Sequence, residues 1–137
     1  MQQNSQQKEL VRAAIRAYNE RDREMFERLH APDVVLHGRT EDVVGRAAVI
    51  DQQWAFLEAF PDSTITIDAL VAEPGLVSVR YRTTATHEGP FQGIEPTGRD
   101  VEMGLQAMLA IKEGEITEKW VQADVHGLLA QLRDDAA

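Results

Sequence analysis

Leu10, Val11, Ala14, Ile15 and Tyr18 recur at helical spacing, with Arg12 and Arg16 turned away, and predict an amphipathic first helix of about four turns. Asp22 suits the N-cap of a short second helix that carries Met25, Phe26 and Leu29 inward and is closed by Pro32. Val34 to His37 reads as a short strand. A third helix is predicted from Arg46 to Phe60, stopped by Pro61. It is apolar on two stripes, one of Ile50, Trp54 and Leu57 and one of Val49, Phe56 and Phe60, so other elements must wrap it. The glutamine-rich residues 1–7 are expected to be disordered.

Beyond Pro61 the period changes to two, the mark of strands half-buried in a sheet. Ile65, Ile67, Ala69 and Val71 form one set, and Val77, Val79, Tyr81, Thr83, Ala85 and His87 a second. Val101, Met103, Leu105, Ala107, Leu109 and Ile111 form a third. Ile116, Glu118, Trp120, Gln122 and Asp124 make the fourth, which puts two carboxylates on a face meant for burial. Glu73-Pro74-Gly75 and Lys112-Glu113-Gly114-Glu115 are tight-turn signals that make these strands antiparallel hairpins. The order α-α-β-α-β-β-β-β with a short helical tail is an α+β fold, its helices gathered on one face of the sheet. Glu88 to Arg99, rich in glycine and proline, is an irregular loop of the length that often serves as a lid.

A chain of 137 residues with 43% hydrophobic and 27% charged residues is a single soluble-type domain spanning 1–137. A net charge of −9 argues against nucleic acid and against anionic lipid as partners. No apolar run approaches the roughly 18 residues of a membrane span, and the polar start does not read as a signal peptide, so a cytoplasmic location is expected. The absence of cysteine excludes disulfides and thiolate chemistry. His30, His37, His87 and His126 are scattered without paired ligand spacing, and no metal site is expected.

The run from His87 through Phe91, Gly93 and Pro96-Thr97-Gly98-Arg99 resembles the loop of a known family. Gly114 to Trp120 with Asp124 resembles its last strand, and Leu128, Leu129, Gln131 and Leu132 its closing tail. On these residues the chain is similar to the SnoaL-like polyketide cyclases, within the nuclear transport factor 2-like superfamily. The resemblance implies a curved antiparallel sheet rolled around the third helix into a cone with an apolar pocket at its open end. It further implies homodimers paired through sheet surface, and ring closure of a polyketide ester by aldol condensation without metal or cofactor. The family's acid/base aspartate matches Asp124. The penultimate strand departs from the family by offering only Gln106 as a polar pocket group, a feature that favours a non-catalytic ligand-binding or association module as the competing reading.

Proton abstraction beside a carbonyl needs a base near neutrality and a donor for the enolate oxygen. Asp124, desolvated beside Trp120, is the candidate base, with helix capping before Val125 as its structural alternative. His87, on the face of Val77, Val79 and Tyr81, is the candidate donor or relay. Gln106 would position a carbonyl, and His37 would stand at the pocket mouth. Trp54, Phe60, Tyr81, Phe91 and Trp120 are candidates to line a pocket for an apolar or aromatic carbonyl compound. Glu118, an acid between Ile116 and Trp120, fits poorly and would need an arginine. His30 and His126 read as surface or cap residues.

Overall fold

The computed structural model describes residues 2–38 and 40–133. Two helices, α1 (Gln2–Asn19) and α2 (Arg23–Arg28), precede strand β1 (His30–His37) and the two-residue β2 (Val43–Val44). Helix α3 (Arg46–Ala59) follows, then β3 (Thr64–Glu73), β4 (Leu76–Thr86), β5 (Asp100–Lys112) and β6 (Glu115–Ala123), and α4 (Val125–Arg133) closes the chain. One curved, unclosed six-stranded sheet results, in the order β2-β1-β6-β5-β4-β3. Helix α1 lies against β3 and β4, α3 against β1 and β2, and α4 against β5.

The expected hairpins form, β3 with β4 and β5 with β6, joined by an antiparallel β4–β5 pair. The sheet is nevertheless mixed, because β1 runs parallel to β6. Strand β1 starts at His30, earlier than its apolar run suggests, and its register jumps between His30 and Val35. Pro32 lies in that gap, where a residue with no N–H to donate is tolerated. Asp22 caps α2 as expected, accepting from the Met25 N–H at 3.2 Å.

Residues 2–7 are helical, a correction to the expected disorder; Met1 lies outside the described residues. Gln7 accounts for the difference. Its buried amide donates to the Glu73 carbonyl at 2.8 Å and accepts from the Gly75 N–H at 2.7 Å, tying α1 to the β3–β4 turn.

Two strands carry an extra residue that reverses the alternation read from the sequence. In β3, Ile67 pairs with Tyr81 but Ala69 with Arg80, so Asp68 is the inserted residue and Leu70 and Ala72 replace Ala69 and Val71 on the inner face. In β6, Ile116 pairs with Ile111 but Glu118 with Ala110, so Thr117 is inserted. From there on Lys119 and Val121 face inward, while Trp120 and Gln122 face out.

The interior divides in two. Val11, Tyr18, Phe26, Ile50, Val79 and Ile116 belong to the larger cluster, between the helices and the middle of the sheet. A smaller one, with Phe60, Met103 and Leu128, lies under the 88–99 loop and α4. That loop is fastened to the end of α3, since both the Glu88 and Gly89 N–H groups donate to the Ala59 carbonyl at 2.9 and 3.1 Å. A side chain at Gly89 would run into the Glu58 carbonyl oxygen and stand 3.0 Å from Ala59 Cα. Gly89→Ala is therefore expected to lower stability by about 1–3 kcal/mol, measured by urea unfolding, as overpacking against backbone does.

Candidate functional site

Lys119 is drawn into the larger cluster by the β6 bulge and is buried to 5% exposure. Its Nζ donates to Gln53 Oε1 at 2.6 Å and to His30 Nε2 at 3.0 Å. The roles on His30 are fixed from its other side, where Nδ1 lies 2.7 Å from the Phe26 carbonyl oxygen. A carbonyl only accepts, so Nδ1 carries the proton and Nε2 is the acceptor for Lys119. Among the described residues no carboxylate lies within ion-pair distance of Lys119. Besides these two neutral acceptors, the charged form has the Phe26 ring 5.3 Å away.

Burial therefore governs the titration. Desolvation pushes the Lys119 ammonium down to about 7. His30 is lowered to about 3, first by burial and then by the neighbouring Lys119 charge, so it is a neutral imidazole at physiological pH. A neutral amine has two N–H bonds and one lone pair. The two acceptors, His30 and Gln53, take both N–H bonds and leave the lone pair free.

Lys119, His30 and Gln53 form the polar wall of a cavity of about 50 Å³, which is otherwise lined by apolar side chains from α1, α2 and the inner sheet face together with Tyr18 and Tyr81. At the roughly 30 Å³ that a water occupies in the liquid, the volume holds about two waters, or a carbonyl group. The Tyr81 hydroxyl is pushed up to about 12 by burial and then by the nearby Tyr18, and so stays a neutral donor. Tyr18 itself bonds Ser63 Oγ at 3.1 Å.

Of the residues read from the sequence as catalytic or substrate-binding candidates, Tyr81 alone lines this cavity. Trp54 backs it, packing edge-on to Tyr18 with centroids 5.5 Å apart and against Phe26 at 5.1 Å. His87, Phe60 and Phe91 are brought together, but in the smaller cluster: His87 stacks on Phe60 at 5.4 Å, and Phe91 meets Phe60 at 5.1 Å. His87 Nδ1 accepts from the Thr97 N–H at 3.1 Å, so the imidazole ties the far end of the loop to the end of β4.

Gln106 and Trp120 lie on the outer face of the sheet, which corrects their expected inward placement. His37 stacks on Trp120 at 4.7 Å and pairs with Glu118 at 2.9 Å, so that Glu118 is met by a histidine and not by an arginine. Asp124 also leaves the face of Ile116. It is exposed, and its Oδ1 accepts from the Gly127 N–H at 2.9 Å as the N-cap of α4.

Lys119, His30 and Gln53 were not apparent from the sequence, because strict alternation from Ile116 turns Lys119 outward. The misfit of Glu118 was the available signal: one inserted residue moves the acid out and the lysine in.

The model of the SnoaL-like polyketide cyclase family matches residues 8–132. Among solved structures, AclR, a candidate hydroxylase from Streptomyces galilaeus, is 30% identical, with a TM-score of 0.86 over 93% of this chain and 96% of that one. IdmH, a candidate polyketide cyclase from Streptomyces antibioticus, is also 30% identical, with a TM-score of 0.83 over 90% and 96%. TsrD from Streptomyces laurentii is 25% identical, with a TM-score of 0.82 over 94% and 96%. No curated protein matches.

The buried amine predicts a pH signature in stability. Between about 7 and 10.5 the unfolded chain holds a Lys119 proton that the folded one has released, so stability rises with pH across that window. Tyr81 acts oppositely: its raised value contributes stability below 10 that is lost as pH climbs toward 12. Thermal melts should show the difference between the wild type and Lys119→Met changing across the lysine window. Parallel curves there would mean that Lys119 keeps its proton in the fold.

Proposed function

The chain belongs to the SnoaL-like polyketide cyclase family, and from that premise we propose that it is a cofactor-independent cyclase or isomerase acting by proton abstraction next to a carbonyl. The observation that carries this reading is Lys119: an amine near 7 in an apolar cavity, both N–H bonds committed and its lone pair free. Such an amine is a base matched to neutral pH, where proton transfer is most effective. The substrate carbonyl oxygen would receive the Tyr81 hydroxyl, a neutral donor in a water-poor setting. His30 holds Lys119 in place through Nε2 and itself stays a neutral imidazole. The cavity has room for the reacting carbonyl group of a polyketide-like ester, whose remainder would extend past half-buried Gln53 and Ile15 on the lining. Aldol closure would follow from attack of the enolate on a second carbonyl of the same molecule. Asp124 serves in this scheme as the cap that docks α4.

The outer sheet face supports a homodimer. Val71, Ser78, Met108, Trp120 and His37 form one cross-strand row, in which Val71, Met108 and Trp120 are 63%, 43% and 38% exposed. A second copy would cover this apolar row.

Exchange of acetone methyl protons in D2O, followed by NMR, tests the chemistry. The protein should accelerate it, Lys119→Met should lower the rate about 10²–10⁴-fold and Tyr81→Phe about 10²-fold. Asp124→Asn, which preserves a cap, should leave the rate unchanged. Saturable binding of a ketone without exchange would favour a binding module instead. For assembly, light scattering should report a dimer that Trp120→Lys converts to monomer; a monomeric wild type would refute the pairing.

A further inference from the structure

Lys119 differs from an ordinary interior lysine in what surrounds its nitrogen. Its two hydrogen-bond partners, His30 Nε2 and Gln53 Oε1, are both acceptors, and no described carboxylate holds the charged form. The remaining position on nitrogen is directed away from both, and Lys119 lines the apolar cavity. The groups facing the amine from the packed elements are His30 of β1, Gln53 of α3, and Tyr18 and Tyr81 on the cavity lining, with Arg46 bonded at 3.3 Å to the His30 carbonyl. None of these supplies a negative charge near neutral pH.

We propose that Lys119 condenses reversibly with the carbonyl of a small aldehyde or ketone to form a Schiff base. This deepens the carbonyl reading above and rests on it for the ligand class, but replaces proton abstraction by a free base with covalent activation. In the first step the nitrogen lone pair attacks the carbonyl carbon. A C–N bond forms, and the carbonyl π electrons move to oxygen. A proton moves from that nitrogen to the alkoxide oxygen through a water molecule, leaving a neutral carbinolamine, while His30 Nε2 and Gln53 Oε1 hold the nitrogen in place. The C–O bond then breaks as the hydroxyl takes up a proton from a water molecule and departs as water, and the nitrogen lone pair closes the iminium. The hydroxide left behind takes a proton from the adjacent carbon, which gives an enamine, a carbon nucleophile suited to ring closure, and water reverses the sequence. No oxidant or reductant takes part.

The lysine content makes the test direct, because the chain has three lysines, Lys8, Lys112 and Lys119. Lys8 and Lys112 serve as internal controls, since an ordinary lysine is only about one part in 10³ deprotonated near pH 7. The full-length protein is incubated at neutral pH with propanal and sodium cyanoborohydride, and the N-propyl groups are located by peptide mass spectrometry. The expected result is labelling of Lys119 at least about tenfold faster than Lys8 or Lys112, saturating with propanal concentration. Labelling of Lys119 no faster than the other two overturns the proposal. Acetone exchange that depends on Lys119, seen together with failure to trap propanal there, leaves the base-catalysed reading standing and removes the imine alone. Trapping without exchange would do the converse. A Lys119→Arg variant keeps N–H donors at the position but has no nucleophilic amine, so it should lose all trapping there, and persistence of the label on that peptide would also overturn the proposal.

Discussion

One inserted residue in β6 decides what this protein's interior contains. Strand faces alternate strictly, so the pairing of Ile116 with Ile111 and of Glu118 with Ala110 exchanges the two sides of everything that follows Thr117. Without the insertion the cavity wall would present Glu118 and Trp120, and Lys119 would point into solvent. With it, an acid and a large aromatic go to the outer face, where His37 engages both, at 2.9 Å from Glu118 and stacked at 4.7 Å on Trp120. The interior amine and the outer cluster are two consequences of one backbone irregularity.

The amine would be a liability if it had to stay charged. An ammonium taken out of water loses several kcal/mol of hydration, recovered only by close opposite charge, and among the described residues Lys119 has none. Shedding the proton removes most of that cost, and the two acceptors match the two N–H bonds that remain. The arrangement thus favours the nucleophilic form of lysine near neutral pH. His30 takes part through its Nδ1 contact with the Phe26 carbonyl, which keeps Nε2 an acceptor. A hydrogen bond at the end of α2 thereby sets the chemistry at the side chain of Lys119.

Most of the architecture could be read from the sequence because it is written in periodicity. The helical spacing of Val11, Ala14 and Tyr18, the cap at Asp22 and the double stripe of α3 are local signals, and the structure follows them. The same reading failed at the site. Period-two patterning carries no mark for an inserted residue, and both Asp68 and Thr117 are polar residues that pass for ordinary outward positions. Aromatics and histidines drew attention to Phe60, His87 and Phe91, which pack together beneath a loop fastened to α3. There His87 stacks on Phe60 and accepts from the Thr97 N–H, away from the cavity that Lys119 lines. The parallel pairing of β1 with β6 links residues about 80 positions apart in sequence, a relation that local spacing does not encode.

That parallel pair is also where the sheet is least regular. Strand β1 breaks register between His30 and Val35 around Pro32, and β6 breaks it at Thr117, so the two neighbours are irregular over the same stretch. A regular pair would hold its side chains at the fixed spacing of the pleat and fill the interior with them. Here the double irregularity lets His30 and Lys119 approach to 3.0 Å from adjacent strands, with space left between them and the helices. Bulges concentrate near functional sites because they re-aim side chains that a regular ladder would fix. In this chain the candidate site is therefore a property of the β1–β6 seam, and the inner faces of β4 and β5, regularly paired and apolar, help to keep that seam dry.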